Sequence, residues 1–71
     1  MDEEKLRMVK LIDHWALHND EHGRRFAETA AEAERMGLGV VAEELRRAAG
    51  ESEKVSRYLL KALKHLEEGE G

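Results

Sequence analysis

Residues 14–22 read HWALHNDEH, and His14, His18 and His22 recur there every four positions. Imidazoles four residues apart on a helix share a face, separated by about 6 Å along the axis. Two of them can chelate one ion with metal–nitrogen bonds of about 2.0–2.1 Å. His14 and His22 are about 12 Å apart along the axis and rotated by about 80°, so one ion shared by those two is strained on a straight helix. The expected pairs are therefore His18 with His22, or His14 with His18. Further ligands must come from Asp20, Glu21, Glu53, water or a second chain, and in a dimer two symmetry-related pairs can meet at one ion. Imidazole suits nickel, copper, zinc or iron. Asn19 is a candidate to orient an imidazole from behind.

Other chemistries fit less well. HNDEH matches the H-x-x-E-H pattern of a zinc peptidase, in which His18 and His22 would bind zinc and Glu21 would activate water. Five residues of that kind arise easily in a Glu- and His-rich helix, and so short a chain has no evident peptide cleft, so we expect no catalysis. Di-iron bundles need Glu-x-x-His pairs. None of the four histidines has a glutamate three residues before it. No phosphate loop, nucleotide fingerprint or nucleophile triad is visible. Cysteine is absent, which excludes thiolate sites and disulfides. His65, near the end of the second helical segment, has the ordinary role of favouring the negative end of a helix.

The elements that must hold these residues are helical. Proline is absent and Ala, Leu, Glu, Lys and Arg dominate the 71 residues. The strongest break is Met36-Gly37-Leu38-Gly39, where Gly37 suits a left-handed C′ position and Arg35 the negative helix end. Glu43 and Glu44 lie near the start of the second segment, Asp2 is a candidate N-cap and Gly69 a candidate stop. The expectation is one domain, an all-α antiparallel helical hairpin: a helix over about 3–36, a turn at 37–39 and a helix over about 40–68. A further break at Gly23, giving three helices, is the lesser alternative.

A 4-3 spacing picks out Met8, Ile12, Trp15, Asn19, His22, Phe26, Thr29, Ala33 and Met36 as one seam. The other is Leu38, Val41, Leu45, Ala48, Ser52, Val55, Leu59, Ala62 and Leu66. Val9, Leu11, Leu60 and Leu63 lie beside them and Leu17 farther round, so the apolar face is wider than two helices need. From this we expect a homodimer forming a four-helix bundle. Pairing residue n with residue 76−n sets His22 opposite residues 52–55, so Asn19, His22 and Ser52 meet in a polar layer, with Ser56, Glu53 and Tyr58 close by and Gly23 and Gly50 bracketing it. On this reading His22 points into the seam, His18 flanks it and His14 drifts outward. Buried polar groups must be satisfied. They do so either as a hydrogen-bonded layer that fixes register or as a binding site.

Net charge is −4 and no basic cluster stands clear of acids, which argues against nucleic acid and against an anionic membrane as partners. No apolar run approaches the roughly 20 residues that span a bilayer, and the charged start MDEEKLR is no signal peptide. The default is a soluble cytoplasmic protein.

The run HWALHNDEHGRRFAETAAEAERMGLGVVAEELRRAAG resembles a small uncharacterised helical-hairpin domain of archaea and anaerobic bacteria. Its members carry H-W-x-x-H-N-x-x-H, then Phe, an acidic Ala-rich helix, Gly-Leu and Val-Ala-Glu-Glu. The likeness covers roughly residues 11–63, and the matched motif positions are His14, Trp15, His18, Asn19 and His22. Gly23 stands where Ala is the family's residue, and Gly50 interrupts the second helix. The family is loosely associated with nickel- and cobalt-handling proteins, including small nickel proteins of carbon monoxide dehydrogenase maturation. The resemblance alone implies nickel or cobalt; by ligand type zinc and copper fit as well. The expected function is transition-metal storage, delivery or sensing through His14, His18, His22, Glu21 and Glu53, with a metalloprotein as the client. The alternative is a metal-free dimerisation module whose histidines form a hydrogen-bonded polar core layer.

Overall fold

The computed structural model of the chain describes residues 3–69. Two helices account for nearly all of it: α1 spans Glu3–Arg35 and α2 spans Gly39–Glu67. They lie against each other as an antiparallel hairpin. α1 runs unbroken through Gly23 and α2 through Gly50, so the two-helix expectation holds and the three-helix alternative does not.

The turn follows from backbone hydrogen bonding. The last carbonyls of a helix lack partners, and a left-handed residue lets the chain fold back onto them. Gly37, at φ 77, is that residue. Leu38 N–H donates to Ala33 O at 2.9 Å and Gly37 N–H to Glu34 O at 3.1 Å, the paired bonds of a Schellman motif. Leu38 then serves directly as the N-cap of α2 without a side-chain cap bond. Glu43 and Glu44 lie beyond the first turn of α2, where the dipole has faded, and they hold Arg47 instead. At the far end Gly69 is left-handed at φ 72 and Lys64 and His65 occupy the last turn, as expected. The Asp2 cap lies outside the described residues.

The seam differs from the expectation in one row of each helix. The rows Ile12–Asn19–Phe26–Ala33 and Leu45–Ser52–Leu59–Leu66 face inward as expected. The second row of α1 is Val9–Ala16–Gly23–Ala30, not Met8–Trp15–His22–Thr29, and that of α2 is Ala42–Ala49–Ser56–Leu63, not Val41–Ala48–Val55–Ala62, although Ala48 is half-buried. Both errors are a shift of one residue, and both have one cause. The sequence pattern put the large side chains in the seam. The helices instead meet along small ones, Ala16, Ala30, Ala33, Ala42, Ser52 and Ser56, which let the backbones approach closely. Gly23 shows how closely, because a Cβ there would stand 3.0 Å from Ser52 Oγ. Facing residues therefore follow 75−n, which sets Asn19 against Ser56 and Gly23 against Ser52.

Small residues bury little area, and among the described residues no large side chain is fully buried. The hairpin measures 53 × 17 × 11 Å, about one helix thick in its thinnest dimension. Trp15, Met8, Leu11, Val41 and Val55 are left exposed on its flanks.

Candidate metal centre

Three successive steps of four residues carry a line of rings along α1. The centroids of His14 and His18 are 5.5 Å apart, those of His18 and His22 4.8 Å, and those of His22 and Phe26 6.3 Å. Each step advances about 40° round the helix, so the line winds from the outer surface at His14 to the seam at Phe26. Phe26 is half-buried; the three histidines are exposed. His22 does not enter the seam, contrary to the expectation. Gly23 and Phe26 take the inward positions, and His22 stands on the flank, stacked on Phe26 at an interplanar angle of 25°.

The polar layer exists, but without histidine. Asn19 Nδ2 donates to Ser52 O at 2.6 Å and to Ser56 Oγ at 2.9 Å. Ser52 Oγ donates to Asn19 O at 3.0 Å, and Ser56 Oγ donates to Asp20 Oδ1. Every buried side-chain N or O among the described residues has a partner. Asn19 is therefore spent on bridging the helices and does not orient an imidazole. Asp20, which the sequence offered only as a spare ligand, belongs to this lock; an acid beside a seam Asn and across from a seam Ser was the available clue.

The remaining candidates part ways. Asp20 and His22 are two residues apart, about 200° round the helix, so they face opposite sides. Glu53 lies on the Asp20 side, in a shallow groove of about 500 Å³ shared with Gly23, Arg24, Arg46 and Gly50. Glu21 lies on the outer surface beside Arg24, Arg25 and Glu28. Among the described residues no three His, Asp or Glu side chains are placed together to hold an ion. The histidines form pairs.

Of the two pairs, His18 and His22 fit chelation better. A metal–nitrogen bond of about 2.1 Å holds each ring centroid about 3.2 Å from the ion, so two rings on one ion stand about 4.5 Å apart at a right angle and about 5.2 Å at a tetrahedral one. The 4.8 Å spacing of His18 and His22 lies between these; the 5.5 Å of His14 and His18 lies just outside.

The fold and this surface define a two-helix hairpin with a histidine line down one helix. The chain belongs to a family described as a domain of unknown function, DUF8180, which matches residues 8–66. No curated protein and no solved structure matches it. Among the described residues no helix is long and apolar enough to cross a membrane.

Proposed function

We propose that the protein binds a transition-metal ion through His18 and His22, with His14 at the outer end of the line, and works as a homodimer in metal storage, delivery or sensing. The 4.8 Å spacing of the two rings carries this reading. Imidazole ligands favour nickel, cobalt, zinc or copper, and the resemblance noted above favours nickel or cobalt. A metalloprotein would be the client. Glu21 and Glu53 are weaker ligands within one chain, since neither stands with the pair. The test is thermal melting of chelator-stripped protein with and without Ni²⁺, Co²⁺, Zn²⁺ or Cu²⁺. An ion held at 100 times its Kd stabilises the fold by about 2.7 kcal/mol, or about 10–20 °C in a domain this small. No shift with any of the four ions at millimolar concentration contradicts the reading.

A second reading, a metal-free interaction module, is favoured by the exposed Trp15, which is 49% accessible. In that version the polar layer of Asn19, Asp20, Ser52 and Ser56 fixes register without histidine, and the apolar flank carries the function.

A further inference from the structure

The seam leaves two flanking rows on each helix, and the two sides of the hairpin differ sharply. The ion pair of Arg46 with Glu34, at 2.8 Å, and the groove that joins Asp20 and Ala27 to Arg46 and Glu53 identify one side. It is rich in charge. The other side carries Met8, Trp15, His22 and Thr29 from α1 and Met36 from the turn, with Val41, Ala48, Val55 and Ala62 from α2. No Asp, Glu, Lys or Arg stands at any of these positions, in a chain that is 39% charged.

The exposed area has the size that a second copy would cover. A compact monomer of 8.1 kDa exposes about 4,500 Å², whereas this chain exposes 5621 Å². The excess of about 1,100 Å² per chain, spread over the whole elongated hairpin, matches in size one partner's share of an interface of about 2,200 Å², as in an obligate homodimer. In an isologous contact a group near the two-fold meets its own copy.

The geometry points to a second copy of this chain docked on that side, α1 against α1 antiparallel about a two-fold level with the midpoint of the His18–His22 pair, so that His18 and His22 of both copies surround one divalent ion. This rests on the metal-binding reading above. One chain brings two imidazoles, and a tetrahedral ion takes four ligands. The two-fold supplies the second pair.

Two measurements test it. Titration of chelator-stripped protein with Ni²⁺ or Zn²⁺, followed by calorimetry and sedimentation, is expected to end at half an ion per chain with the mass of a dimer. Trp15→Glu is expected to yield monomer and to weaken binding at least a hundredfold. Because the chain has no cysteine, single spin labels report the arrangement even where that variant fails to fold. Labels at Arg25→Cys and Glu32→Cys are expected about 15–20 Å and about 35–40 Å from their copies in the metal-loaded protein. One ion per chain on a monomer, or label distances in the reverse order, overturns the proposal and leaves metal binding standing. No binding of either ion by wild-type protein overturns both.

Discussion

Gly23 and Ser52 are in such close register that a Cβ on the glycine would lie 3.0 Å from Ser52 Oγ and 3.2 Å from Ser52 Cβ. Ser52 has little freedom to give way, since its hydroxyl is already committed to Asn19 O. Gly23→Ala gains about 1 kcal/mol of helix propensity and loses more through this contact. We expect a net destabilisation of about 1 kcal/mol by urea unfolding. Gly50→Ala meets nothing within 4 Å and is expected to stabilise by up to about 1 kcal/mol. Equal effects at the two glycines would contradict the close approach at Gly23.

Asn19 joins the helices with two donated bonds and one accepted through its carbonyl. Its removal leaves Ser52 O without a side-chain partner in a partly buried layer. Asn19→Ala is expected to cost about 1–3 kcal/mol. Asn19→Asp is expected to cost at least as much, because a carboxylate has no donor for Ser52 O and sits beside Asp20. A cost below about 0.5 kcal/mol for either would show that the layer does not hold the register.

The charged pairs are a smaller matter. Arg46 and Glu34 are both more than half exposed, and such pairs are worth about 0–1 kcal/mol. Arg46→Ala is expected to cost less than about 1 kcal/mol at low salt and still less at 1 M salt, where the Debye length falls to about 3 Å. An undiminished loss at high salt would mean that Arg46 acts through packing over the groove.

Much of the hairpin was legible in the residues. Gly37, the helical composition and the 4-3 spacing led to two antiparallel helices with a turn in the right place, and to a facing register one residue from the observed one. One row of each seam was not legible. Trp15 and Ala16 are neighbours, and a reading by apolar size gives the inward position to the tryptophan. The choice depends on how closely the backbones pack, which no single helix records; Gly23 opposite Ser52 settles it. The same one-residue shift moved His22 out of the seam. The i, i+4 histidine pairs survived the shift because they depend only on helical geometry. The pairing of Asn19 with Ser52 was visible as a shared polar level, whereas the Ser56–Asp20 link, off the expected seam row, was not.

His65 stands in the last turn of α2, on the other helix from the histidine line. We expect His65→Ala to leave metal uptake unchanged, as measured by equilibrium dialysis against Ni²⁺. A loss comparable to that of His18→Ala would move the site to the helix end.

The central claim is that His18 and His22 act together as a chelating pair. Calorimetric titration of Ni²⁺ into chelator-stripped wild-type, His18→Ala and His22→Ala proteins tests it most directly. All three proteins are expected to remain folded, because exposed substitutions change stability by about 0.5 kcal/mol or less. The account predicts saturable binding by the wild type and its loss in both variants. Wild-type binding no tighter than about millimolar, or equal binding by all three, would contradict it.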